Sequence, residues 1–194
     1  SFFIKDESNV KVATTRAGNV VGGGDWAKNR IVPDCMRAWS NNEIVEIRSP
    51  NATRPWQHVL EPLSGYLALG QHLYESDNLS GESFNFGPMS QYSHTVEMLL
   101  QDLSKYWNIQ DSSEAYKITD DIKFHEAGLL KLNCDKALFH LKWVPTLNYE
   151  QLVAFTGSWY FSFYKDQGNM LDFTLAQIGK YEQIAISKEN QWTK

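Results

Sequence analysis

Four polar side chains stand where they would serve chemistry as readily as packing: Asn19, Arg30, Arg54 and Asn85. Arg54 precedes Pro55-Trp56, so a stiff, turn-like segment presents its guanidinium beside an aromatic, a fork suited to gripping two phosphate oxygens. On spacing alone, a surface arginine paired with Glu61 or Glu46 is the better account. Arg30 opens a helical pattern, where positive charge opposes the helix dipole. That placement makes more sense if an anion bridges it and Arg54. Asn19 and Asn85 fall at the ends of two apolar runs, and a buried amide must either bond loop backbone or reach a ligand. The two readings are evenly balanced. His58 and Glu61, three apart, have the spacing of an acid/base pair, but with no nucleophile nearby they read as structural groups at the mouth of a pocket. His72, His94 and His140 have no ligand spacing, and the tryptophans are spaced as helix core rather than as sugar platforms.

Several elements are needed to hold these groups. Val10, Val12, Ala13 and Thr14 read as a strand that runs into a glycine-rich floor, where Arg16, Asn19 and Asp25 gather around Gly22–Gly24. Ligands of open α/β sheets bind at the carboxyl ends of such strands. Ser1–Ser8 reads as the end of a helix. Ile31–Ser40 is amphipathic with Pro33 in its first turn, Ile44–Ile47 alternates as a strand, and Gln57–Leu60 is briefly extended before a helix over Leu63–Glu75. Ser83–Gly87 is a second core strand with Phe84 and Phe86 on one side and Asn85 on the other. Thr95 caps a helix through Trp107. A polar stretch with a strand around Ala115–Ile118 follows, then an extended Leu129–Leu132. Asp135 is expected to cap a helix to Leu141, Tyr149–Tyr164 and Met170–Ile186 are helical, and Ser187–Lys194 is a polar tail.

The composition sets limits on function. The chain has 194 residues, 42% hydrophobic and 21% charged, enough for a domain with its own core, and its net charge of -5 argues against nucleic acid. Cys35 and Cys134 have neither zinc nor disulfide spacing and read as reduced core thiols, with no metal site. No apolar run approaches the roughly 20 residues of a membrane span, and the expectation is a soluble, cytoplasmic protein with no membrane partner.

Arg16–Trp26, Arg30–Asp34 and Asn51–Tyr66, with Glu82–Pro88, His125–Ala127 and Lys131–Ala137, resemble the CDP-glucose 4,6-dehydratases, a family of the extended short-chain dehydrogenase/reductases. The resemblance implies an α/β fold: the C-terminal part of a Rossmann-like doubly wound sheet plus a small mixed α/β substrate-binding lobe. Residues 1–30 and 58–90 would be the remainder of the NAD-binding domain, and 31–57 and 91–194 the lobe. It implies NAD as cofactor, with Arg16 near it, and CDP-glucose as partner, held by Asn19, Arg30, Ile31, Arg54, Asn85, His125 and Glu126. The activity implied is conversion of CDP-glucose to CDP-4-dehydro-6-deoxyglucose and water: oxidation at C4 acidifies C5, water leaves from C6, and hydride returns to C6. Ala127 and Gly128 stand where thymidine-specific relatives carry an arginine, which fits a different base.

The family's glycine-rich dinucleotide motif is missing, and none of the nine tyrosines has a lysine four positions on. The expectation is therefore a C-terminal portion without catalytic residues of its own, silent by itself and part of a homodimer when complete. The alternatives are a related nucleotide-sugar epimerase or decarboxylase, and a non-catalytic sugar-nucleotide binding module.

Overall fold

A computed structural model describes residues 10–89, 93–119 and 130–194. The helix end read over 1–8 lies outside them. The first strand, β1, is Thr14–Ala17, later than the Val10–Thr14 run suggested. The glycine-rich stretch that follows is not all loop: Asn19–Val21 forms β2, which runs parallel to β5, Trp56–His58. Between them come α1 (Ile31–Ser40), β3 (Val45–Ile47) and β4 (Thr53–Arg54).

α1 keeps the predicted bounds because its apolar spacing buries Val32, Pro33, Cys35, Met36 and Trp39 on one face. It ends where Asn42 takes φ 58, a conformation that asparagine tolerates. Next are α2 (Leu60–Glu75), β6 (Ser83–Phe86) and β7 (His94–Thr95), then α3 (Val96–Ser104), capped by the Thr95 side chain, which accepts from Met98 N at 3.1 Å. A short α4 (Ser112–Ala115) leads into β8 (Tyr116–Ile118). In α5 (Asp135–Leu141), Asp135 is the first helical residue rather than the cap, and Cys134 holds the cap position with no side-chain bond. α6 (Tyr149–Phe161) opens with a capping box between Asn148 and Gln151, and a π turn over Ser162–Asp166 separates it from α7 (Met170–Ser187). The tail expected beyond Ser187 is not merely polar: Asn190 is buried, and Trp192 stacks on Tyr181 at 5.7 Å.

Among the described residues the strands form four pairs. β1–β6, β2–β5 and β3–β8 are parallel and β4–β7 antiparallel, with Arg16 opposite Asn85 and Arg54 opposite His94. Two apolar cores result. The larger joins α1, α3 and α6 with Ile47, Trp56 and Tyr116, and Trp39 Nε1 donates across it to Ala115 O at 2.9 Å. The smaller gathers Leu69, Leu79, Phe84, Phe86, Ala137, Leu141 and Trp143, so α5 packs with β6 and α2 rather than with the helices on either side of it in sequence. Among the described residues no helix is long and apolar enough to cross a membrane, and no cluster could hold a metal ion.

Candidate functional site

The β1–β2 corner, the start of α1, the end of β3 and the β4–β5 segment surround a cleft of about 920 Å³. That volume suits a ligand of several linked rings or groups. The corner is possible because residue 18 is glycine: a Cβ there would lie 2.4 Å from Pro55 O. The chain turns tightly enough for Asn19 N to donate to Pro55 O at 3.0 Å, which sets Asn19 beside the segment that carries Arg54.

Asn19, Arg30, Ile31 and Arg54 all line this cleft. Arg54 Nη1 donates to Thr53 O at 2.9 Å, and the β4–β7 ladder fixes its backbone. Arg30 sits at the α1 N-terminus with its Nη1 3.0 Å from Asp25 Oδ2. Neither acid proposed from sequence as the partner of Arg54 is spare for it. Glu46 pairs with Lys117 at 2.8 Å, and the ammonium holds that carboxyl below its ordinary range. Glu61 is engaged elsewhere. Asp34 pairs with Arg37 at 2.5 Å, so each acid on the cleft wall is matched by a cation, while Arg48 adds a further guanidinium.

Asn85 is not on the wall of the cleft. Its Nδ2 donates to Asn133 O at 3.0 Å, which fastens the segment from which Leu130 and Leu132 reach the wall. Arg16 is exposed on β1 opposite Asn85, also off the cleft. His125 and Glu126 lie outside the described residues.

The Gly22–Trp26 loop is held from behind by aromatics. Tyr160 OH donates to Asp25 O at 2.8 Å, and Trp26 packs against Phe163 with centroids 4.8 Å apart. A Cβ on Gly23 would fall 2.0 Å from the Trp159 ring, so this glycine lets the loop lie flat on α6. Gly23 is thus used for packing on Trp159, while Gly22 abuts Val59 and Gly24 takes φ 78, and no described strand-to-helix turn offers the glycine-lined cradle that a dinucleotide pyrophosphate needs.

His58 and Glu61 are both nearly inaccessible, at 3% and 2% exposure. His58 stands edge-on to Phe155, and its Nδ1 accepts from Leu60 N at 3.4 Å. Burial drives its pKa down to about 4, so the ring is neutral with its proton on Nε2. The Glu61 carboxylate accepts from Thr146 N, Leu147 N and Tyr181 OH, at distances from 2.6 to 3.2 Å. Burial outweighs these donors and raises its pKa to about 7. Glu61 therefore anchors the Thr146–Leu147 backbone and His58 packs on Phe155, so the two are engaged as structural groups and not as an acid/base couple.

Sequence reasoning did not find Arg48, the Asp25–Arg30 pair or the Leu130–Leu132 wall. Only Arg48 left a signal, since the alternation of β3 continued by one residue sets it in line with Glu46.

The chain is 39% identical over 176 residues to the CDP-glucose 4,6-dehydratase of Salmonella typhimurium, a match that covers 91% of this chain and 48% of that protein. It thus spans about half the length of the curated relative it matches. No protein-family model matches it. Among solved structures it is similar to the UDP-glucose-4-epimerase of Stenotrophomonas maltophila with bound NAD and formylated UDP-arabinopyranose. That likeness has a TM-score of 0.67 at 16% identity and covers 82% of this chain and 50% of the other. It is also similar to the dTDP-glucose 4,6-dehydratase of Bacillus anthracis in complex with NAD, with a TM-score of 0.62 at 17% identity, covering 77% and 44%. These likenesses establish the fold as the Rossmann-type α/β arrangement of those NAD-bound enzymes.

Proposed function

We propose that this chain is the substrate-gripping, C-terminal part of an NAD-dependent CDP-glucose 4,6-dehydratase, a lyase that forms CDP-4-dehydro-6-deoxyglucose. The observation that carries this reading is one cleft whose wall brings Asn19, Arg30 and Arg54 together, in a chain 39% identical to such a dehydratase.

Each group has a part. Arg54 offers a planar fork to the diphosphate, and Arg30 and Arg48 add charge around it. Asn19 donates its amide to a phosphate or sugar oxygen. The Trp159-backed loop closes one side against water. Elimination of water from the sugar needs a carbonyl beside the C5 proton, and the dinucleotide supplies the oxidation that creates it. The residues described here lack a cradle for that dinucleotide, so Arg16 is the one contact assigned to it. By this reading, residues 1–30 and 58–90 belong with the NAD-binding part, while 31–57 and 91–194 form the lobe that holds CDP-glucose. His125 and Glu126 are assigned to the nucleotide-sugar by the resemblance alone, and Asn85 would act through the Asn133 segment. The chain alone turns nothing over, and the complete enzyme is a cytoplasmic homodimer.

Calorimetric titration of residues 1–194 tests this. CDP-glucose should bind more tightly than dTDP-glucose, and Arg54→Leu should weaken it by about ten- to hundredfold, the value of hydrogen bonds to charged groups. Equal affinity for dTDP-glucose, or an unaffected Arg54→Leu variant, refutes the assignment.

A further inference from the structure

A second cavity, of about 150 Å³, adjoins the cleft at Arg54 and Trp56. Among the described residues it shares only those two with the cleft, so it is a separate compartment. Trp56, Met89, Pro145, Leu147 and Leu152 give it apolar sides, and Gln57, His58, Glu61, His94 and Lys188 give it polar ones.

Three of these side chains keep a buried polar atom with no hydrogen-bond partner in the protein: Gln57 Oε1, His58 Nε2 and His94 Nδ1. Gln57 is 2% exposed, and its Nε2 donates to Phe86 O at 2.8 Å, so the atom left over is an acceptor. His58 is as deeply buried, and because its Nδ1 accepts from Leu60 N, the Nε2 left over is a donor. His94 is fixed by its stack on Tyr149 at 3.5 Å and by its place opposite Arg54 in the β4–β7 ladder. Gln57 and His58 are consecutive and leave β5 on opposite sides, and the cavity is lined by both. Buried polar groups are normally paired, and three unpaired atoms around one space point to an occupant that pairs them.

The charged groups are already engaged. Glu61 accepts from Thr146 N, Leu147 N and Tyr181 OH, and Lys188 Nζ donates to Thr146 O at 2.6 Å. An anion in the cavity would face the Gln57 oxygen and the Glu61 carboxylate, and a cation would face Arg54 and Lys188, so neither sign of charge is matched.

We infer that this cavity binds a small uncharged ring compound whose one polar group, a hydroxyl or a carboxamide, both donates and accepts. A space of about 150 Å³ admits a molecule of benzene's size, and the apolar sides take the ring. The polar group donates to Gln57 Oε1 or accepts from His58 Nε2. Water alone would pair the polar atoms and leave the apolar sides wet. The occupant touches the segment that presents Arg54 to the cleft, but the inference does not depend on what the cleft binds.

Phenol and toluene, alike in shape and differing by a hydroxyl for a methyl, test this on residues 1–194 by titration followed in proton–nitrogen NMR spectra. Phenol should bind about tenfold tighter than toluene, the low end of what leaving one buried polar group unpaired costs, although toluene is the more apolar of the two. Its largest shifts should fall on the Trp56 indole N–H and the Gln57 side-chain amide. Leu147→Trp, which fills the cavity from a half-buried position, should abolish phenol binding. Toluene binding as tightly as phenol, phenol shifts centred elsewhere, or unchanged phenol affinity in the Leu147→Trp variant overturns the inference. So does binding of neither compound, which would leave the cavity to water. If Leu147→Trp fails to fold, the order of phenol and toluene in the unmodified chain decides.

Discussion

Replacing Glu61 by Gln should change the shape of the stability–pH curve as well as its height. Burial raises Glu61 from 4.5 to about 7, so between those values the folded chain holds a proton that the unfolded chain has released. Stability from this group is complete below about 4.5 and is lost as the pH rises to 7, about 3 kcal/mol at 1.36 kcal/mol per pH unit. His58 acts with the opposite sign. Burial lowers it from 6.5 to about 4, so in that window the unfolded chain holds the extra proton. Its contribution is present above 6.5 and is lost as the pH falls to 4, again about 3 kcal/mol. The two slopes cancel between about 4.5 and 6.5. Glu61→Gln keeps an oxygen for Thr146 N and Leu147 N but removes the titration, so its stability should climb by about 3 kcal/mol across that window. His58→Phe should fall by a similar amount, while the unmodified chain stays nearly flat. Urea unfolding at half-unit pH steps reads all three curves. A Glu61→Gln curve parallel to that of the unmodified chain would refute the reasoning.

Other substitutions probe the supports of the cleft. Gly23→Ala drives a methyl into the Trp159 ring, displacing it from Phe163 and from Thr174, which accepts from Nε1 at 2.9 Å. Chemical denaturation should show a loss of about 1–3 kcal/mol, and CDP-glucose affinity should fall with it. Asn148→Ala removes the side-chain arm of the α6 capping box and should cost about 1 kcal/mol in a thermal melt. Asn85→Ala releases Asn133 O, should cost about 0.5–1.5 kcal/mol, and should speed amide exchange at Leu130 and Leu132.

What could be read from the sequence was what local physics decides. α1 has the bounds its apolar spacing gave it, and Thr95 caps α3 because a hydroxyl there meets an orphan N–H whatever lies around it. β2 was not legible, because Asn19–Val21 is strand only by virtue of β5, a partner some 37 positions away in the register that pairs Asn19 with Trp56. The tail was misread for a related reason: Asn190 is polar in sequence but buried in place, donating to Thr146 Oγ1 at 2.8 Å. In the cleft, residue type pointed to Arg54, Arg30 and Asn19, which line it, and equally to Asn85, whose amide serves the backbone. An asparagine at a strand end carries the same signature in either role, and only the position of Asn133 separates them.

The central claim is that the cleft holds a sugar-linked diphosphate through Arg54 and Asn19. The most direct measurement is a crystal structure of residues 1–194 with CDP-glucose. The account predicts diphosphate oxygens within hydrogen-bond reach of the Arg54 guanidinium and the Asn19 amide, with the nucleotide lying along Arg30 and Arg48. A nucleotide bound outside the cleft, with Arg54 touching none of its oxygens, would contradict it.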